Sequence, residues 1–124
     1  MVLAARKSKK KSGKSPKARS MELMRSEGYM VADVEKRLPI PGLFITRDLF
    51  GFGDILASGN GENVIVQTTS AANISTRINK IDESEAAQRW LFISNNRIEV
   101  HGWAKRKIRG QKKVYWECVR KNIR

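Results

Sequence analysis

The chain has 124 residues, with 25 Lys and Arg against 12 Asp and Glu and a formal net charge of +13. That length supports one domain with tails and a single core, and excludes two independent cores. The lone Cys118 excludes an internal disulfide and, with no metal-ligand spacing around it, points to a reducing compartment. No apolar run approaches a membrane span and Met1-Val2-Leu3-Ala4-Ala5 is too short for a secretory signal, so a cytoplasmic protein with no membrane partner is expected.

Charge is concentrated at the ends. Residues 1–21 hold eight Lys or Arg and no acid, and residues 105–124 hold nine against Glu117, which leaves residues 22–104 with a net charge of three negative. Such flanks fit tails that neutralise phosphates around a centre that gathers carboxylates about a metal; tails that only solubilise the chain are the plainer alternative. Residues 1–14, a Lys/Ser/Gly segment, have too little apolar content to order themselves and read as a disordered basic tail before a single domain over 15–124.

Ser15-Pro16 reads as an N-cap with proline at the first helical position, and Gly28 as the stop, which predicts a helix over about Pro16 to Glu27. Its narrow apolar face, Met21, Leu23 and Met24, suits packing on a sheet. Tyr29 to Glu35 alternates as a strand ended by Pro39 and Pro41, and Ile40 to Gly53 reads as loop with a short extended piece at Leu43-Phe44-Ile45. Gly53 to Ser58, the turn Gly59-Asn60-Gly61-Glu62, and Asn63 to Thr69 form a hairpin, and the apolar run Val64-Ile65-Val66 marks its second arm as a central strand. Ser70 caps a second helix with Ile74, Ile78 and Ile81 on one stripe. Ser84 caps a third with Ala87, Trp90 and Leu91 inward, although Trp90 to Ser94 before Asn95-Asn96 also fits a strand and turn. Arg97 to Trp103 and Lys113 to Val119 read as closing strands joined across Gly110. The order helix, three strands, helix, helix, two strands predicts an α/β layer fold with a central mixed sheet of about five strands flanked by helices.

Pairing the hairpin antiparallel puts Asp54 beside Gln67 in the buried middle of a sheet, a costly placement for stability alone. A carboxylate, an amide oxygen and the nearby Thr68 carbonyl are hard donors of the kind Mg²⁺ takes, and such an ion activates water and stabilises charge on a phosphate. An ordinary alternative is an Asp54 that accepts backbone hydrogen bonds near the Gly51 to Gly53 turn. Neither Gly51-Phe52-Gly53 nor Gly59-Asn60-Gly61 continues into a phosphate loop, which excludes a P-loop nucleotide site. His101 reads as a surface strand residue, and Trp90, Trp103 and Trp116 as core.

The order of helix, strand, Gly-x-x-Asp strand, hairpin and apolar strand resembles the PD-(D/E)XK nuclease superfamily, which includes archaeal Holliday-junction resolvases. The run Arg47 to Asp54, Val66-Gln67-Thr68-Thr69-Ser70, Asn73, Arg77, Lys80-Ile81 and Arg97 to Trp103 is similar to small phage-encoded proteins of that type. The resemblance covers about residues 16 to 120. It implies a restriction-endonuclease-like core and a Mg²⁺- or Mn²⁺-dependent deoxyribonuclease that hydrolyses phosphodiesters in DNA, branched DNA such as Holliday junctions included, in the host cytoplasm if phage-encoded. Two cuts across a symmetric junction would need a homodimer. By position, Asp54 and Gln67 correspond to the metal ligands, and Thr69 stands where the superfamily has lysine. The resemblance lets the basic group come from the following helix, as Arg77 or Lys80, and Glu35 is preferred over Glu22 as a further carboxylate. Lys9, Lys10, Lys11, Lys14, Lys17, Arg19, Lys105, Arg106, Lys107, Arg109, Lys112 and Lys113 are the expected nucleic-acid contacts. The alternative is a nucleic-acid-binding protein on the same scaffold without the chemistry, for which Thr69 speaks.

Overall fold

A computed structural model describes residues 13–43 and 45–123. Lys9, Lys10 and Lys11, with all but the last two residues of the expected tail, lie outside the described residues.

The chain forms α1 (Pro16–Ser26), β1 (Met30–Asp33), β2 (Lys36–Leu38), β3 (Ile45–Arg47), β4 (Ile55–Gly59), β5 (Glu62–Ser70), a 3₁₀ turn at Ala71–Asn73, α2 (Ile74–Asp82), α3 (Glu85–Phe92), β6 (Asn96–Lys107) and β7 (Val114–Ile123). Five strands make one mixed sheet in the order β1-β4-β5-β6-β7, and β2-β3 pair separately. β5 and β6 are parallel because α2 and α3 carry the chain between them; the other neighbours are antiparallel.

The capping signals act as their side chains dictate. Ser15 Oγ accepts from Ala18 N and Ser84 Oγ from Ala87 N, each satisfying a helix-end N–H that has no partner in the helix. Ser70 is different: its side chain makes no cap bond, and Ala71–Asn73 first form the 3₁₀ turn, so α2 begins later than a Ser70 cap implies. Asn60 and Gly61, at φ 54° and 79°, supply the two left-handed residues that a two-residue hairpin needs.

The sheet is covered on both faces. Met24 of α1 packs with Tyr29, Ile55, Ala57, Val64 and Val66 on one side; Ile74, Ile81 and Ala87 of α2 and α3 pack with Phe52, Ile65, Ile98 and Val100 on the other. β5 alternates between these two clusters, which explains its continuous apolar run.

Three readings of the sequence are corrected. The short extended piece expected at Leu43-Phe44-Ile45 is instead the strand β3 at Ile45–Arg47, which pairs with an unexpected strand, β2, as Lys36–Arg47, Arg37–Thr46 and Leu38–Ile45, while the strand expected over Tyr29 to Glu35 ends at Asp33 as β1. Three residues per arm with mostly exposed side chains leave too short a pattern for periodicity to register. Trp116 is 39% exposed rather than core, its ring covered by Arg19 at 4.3 Å. His101 is fully buried, not at the surface: Nδ1 lies 2.8 Å from Ser20 Oγ and Nε2 lies 2.7 Å from Glu99 Oε1.

Candidate functional site

The register Ile55–Val66 carries Asp54 to the position opposite Gln67, with Asp54 N donating to Val66 O at 2.9 Å. Asp54 is 6% exposed and Gln67 2%. Asp54 Oδ2 accepts from Gln67 Nε2 at 3.0 Å, Thr68 N at 2.8 Å and Thr68 Oγ1 at 2.9 Å. Oδ1 accepts no hydrogen bond among the described residues.

Two further carboxylates join it. Glu35, in the connector after β1, and Asp48, after β3, each bring an oxygen so that the ligand atoms of Glu35, Asp48 and Asp54 all lie within 4.8 Å of one another. Asp48 is held there by the next turn, where Leu49 N donates to Gly53 O and Gly53 N to Leu49 O, with Phe50 and Gly51 both at positive φ. That turn sinks Phe52 into the core, and a Cβ on Gly53 would stand 2.4 Å from Ile65 Cγ2.

Burial pushes the Asp54 carboxyl up to about 6; the nearby charges of Asp48 and Glu35 add to that, against the Thr68 hydrogen bonds. An arrangement of like charges around a desolvated acid is unfavourable by itself and is relieved by a cation. Gln67 Oε1 is buried without a hydrogen-bond partner among the described residues, a costly condition for an acceptor. Three carboxylates and one unsatisfied amide oxygen form a hard, all-oxygen donor set of the kind Mg²⁺ or Mn²⁺ takes, without the thiolate or thioether a soft metal prefers.

These groups line a cavity of about 610 Å³ shared with Ser15, Lys17, Thr46, Arg47, Arg77 and Lys80. Lys17 Nζ lies 2.8 Å from Glu35 Oε1 and 2.9 Å from Asp33 Oδ2. Among the described residues, Arg77 and Lys80 make no ion pair. No protein-family model, curated protein or solved structure significantly matches this chain.

Of the residues singled out in the sequence, Asp54, Gln67, Glu35, Arg77 and Lys80 thus meet at one cavity. Thr69 is 7% exposed and is not among the cavity's lining residues. It pairs with Gly102 under the 3₁₀ turn, where a Cβ on Gly102 would stand 2.9 Å from Ala71 Cα. Glu22 pairs with Lys14 at 2.6 Å on the exposed side of α1. Sequence reasoning missed Asp48 and the place of Lys17. The signal that could have found Lys17 was the capped helix start itself: Ser15-Pro16-Lys17 fixes Lys17 in the first turn, facing the end of the sheet where Asp54 stands.

Lys105, Arg106, Lys107, Arg109, Lys112 and Lys113 are on or between β6 and β7, away from this cavity.

Proposed function

We propose that this protein is a metal-dependent deoxyribonuclease of the PD-(D/E)XK type, hydrolysing phosphodiester bonds at the cavity floored by Asp54. The observation that carries this reading is the convergence of Glu35, Asp48 and Asp54 within 4.8 Å beside the unpartnered Gln67 Oε1, under a basic rim. Glu35, Asp48, Asp54 and Gln67 would hold Mg²⁺ or Mn²⁺, which when bound supplies an activated water and charge stabilisation on the phosphate.

The remaining roles belong to side chains. Thr68 and Gln67 clamp Asp54 Oδ2, fixing the carboxylate plane and leaving Oδ1 as the atom that would be available to a metal. Lys17 takes the part the superfamily gives to the motif lysine: its ammonium is anchored by Asp33 and Glu35 at the cavity wall, within the group that must orient a water or hold a phosphate oxygen. Arg47, Arg77 and Lys80 neutralise the phosphates on either side of the one attacked.

The test is cleavage of labelled duplex and four-way-junction DNA by purified protein with Mg²⁺, Mn²⁺ or EDTA. Metal-dependent products from the wild type and none from Asp54→Ala, with DNA binding retained, support the assignment. Undiminished cleavage by Asp54→Ala, or no cleavage with any divalent ion, overturns it.

A further inference from the structure

β6 outruns the sheet. Its last pairing with β5 is Trp103–Ser70, after which Ala104, Lys105, Arg106 and Lys107 pair only with Glu117, Trp116, Tyr115 and Val114 of β7. A two-stranded ribbon therefore projects from the same end of the sheet at which Gln67 and Thr68 meet Asp54. At about 3.3 Å per residue it extends ~13 Å past the last β5 pair.

Its composition differs from the rest of the domain. Lys105, Arg106 and Lys107, with Arg109, Lys112 and Lys113 in the turn, put six cations on a stretch whose one acid is Glu117. Glu117 is taken by Arg106 at 2.7 Å. Among the described residues, Lys107, Arg109, Lys112 and Lys113 make no ion pair. Val114, at 51%, and Tyr115, at 48%, are exposed next to them, which is unfavourable for a ribbon with nothing to cover it. At its base the ribbon is braced on α1, where Arg19 lies over the Trp116 ring and Trp103 Nε1 donates to Ser20 Oγ at 2.8 Å.

We infer that the β6–β7 ribbon is a duplex-DNA-binding element that enters the major groove, using Lys107, Arg109, Lys112 and Lys113 on the flanking phosphates and Tyr115, on the ribbon face opposite Trp116 and α1, toward the base edges. The groove of B-form DNA, about 12 Å wide, admits a two-stranded ribbon, whereas the major groove of A-form RNA is too narrow. Uncompensated cations supply the complementary charge, and an exposed aromatic ring suits contact with thymine methyl groups. Its distance from the cut, though not its binding, rests on the nuclease reading. Val100 stands beside Gln67, and Lys107 lies further along β6 by roughly 23 Å of strand, or about seven base pairs of duplex.

The experiment uses the full chain and a labelled DNA duplex of about two helical turns in EDTA, where no cleavage intervenes, with fluorescence anisotropy read across a salt series. Combined Lys107→Ala, Arg109→Ala, Lys112→Ala and Lys113→Ala substitution is expected to weaken binding at least tenfold and to reduce the slope of log K on log salt by about 0.9 for each phosphate that is no longer neutralised. Circular dichroism establishes that this variant is folded, and Tyr115→Ala provides a second, charge-neutral variant expected to weaken duplex binding. Dimethyl sulfate footprinting of the wild type should protect guanine N7, which faces the major groove. Wild-type affinity and slope in the combined variant, protection confined to adenine N3 in the minor groove, or equal affinity for an A-form RNA duplex would each overturn the ribbon assignment. The nuclease reading fails separately: if no divalent ion supports cleavage while the ribbon variant still loses duplex binding, the ribbon stands and the catalytic assignment does not.

Discussion

Lys17 Nζ lies 2.8 Å from the Glu35 carboxylate, joining the first turn of α1 to the connector between β1 and β2 at the cavity that holds Asp54. Burial works against the ammonium, but its hydrogen bonds to Glu35 and Asp33 outweigh that and hold its pKa above the ordinary lysine value, so it stays charged throughout the neutral range. Lys17→Met is expected to slow single-turnover DNA cleavage by roughly a hundredfold or more. Arg77→Met and Lys80→Met, which remove rim charges, should each slow cleavage less than about tenfold and act through salt-sensitive binding. Full activity in Lys17→Met with a dead Lys80→Met would return the basic role to α2.

Asp54 is held in place at a cost in stability. Its folded pKa, about 6, lies above the ordinary 3.8, so the folded protein disfavours the charged form. The cost is present in full above pH 6, shrinks as pH falls through 6, and is gone below about 3.8; the difference between those two values corresponds to about 3 kcal/mol. In metal-free buffer Asp54→Asn should therefore raise the thermal midpoint at pH 8 and lose that advantage near pH 4. Adding Mg²⁺ at pH 8 should stabilise the wild type and leave the variant unchanged. A wild type indifferent to both pH and Mg²⁺ by differential scanning calorimetry would contradict the site.

The hairpin was legible because its signals are local. Asn60-Gly61 sets the turn, the turn sets the register, and the register places Asp54 against Gln67 without reference to the rest of the chain. The capped starts of α1 and α3 were legible for the same reason. Asp48 and Lys17 were not, because their approach to Asp54 depends on how the loop after β3 and the start of α1 close over the end of the sheet. His101 was misread because Glu99, His101 and Trp103 make a polar face opposite Ile98, Val100 and Gly102, which by pattern alone belongs to water. The helix α1 covers that face, and Ser20 completes it.

That covered polar face makes its own prediction. Trp103 Nε1 donates to Ser20 Oγ, whose hydroxyl satisfies His101 Nδ1, and His101 Nε2 in turn meets Glu99, where Arg97 and Arg120 also converge. Burial would raise the Glu99 carboxyl, but the hydrogen bonds from His101, Arg97 and Arg120 outweigh it and hold the group down at about 2. The associated stability, on the order of 3 kcal/mol, is present above the unfolded value of 4.5 and is lost as pH falls from there toward 2. Glu99→Gln should flatten the acid limb of the stability profile and lower stability at pH 7 by about 3 kcal/mol, because Arg97 and Arg120 lose their shared counter-charge. Urea unfolding at pH 7 and pH 3 measures both effects, and an unchanged acid limb would remove Glu99 as its source.

On the proposed nuclease reading Thr69 stands where a lysine would be expected, and restoring the lysine is the natural repair to attempt. The surroundings argue against it. Thr69 is buried, it pairs with Gly102, and the space over Gly102 is filled by Ile74 and Ala71, with an added Cβ only 2.3 Å from Ile74 Cδ1. A lysine there must pack its longer stem into a buried position beneath Ile74 and Ala71, or push the 3₁₀ turn and the start of α2 off the sheet. Thr69→Lys is therefore expected to lower stability by roughly 2–4 kcal/mol and to leave metal-dependent cleavage no faster than wild type. Thr69→Val, which keeps the volume and removes the hydroxyl, should retain most activity if Lys17 carries the basic role. A thermal melt and a cleavage time course on the two variants decide it: a faster Thr69→Lys enzyme would mean that the site is built around a lysine this chain has lost.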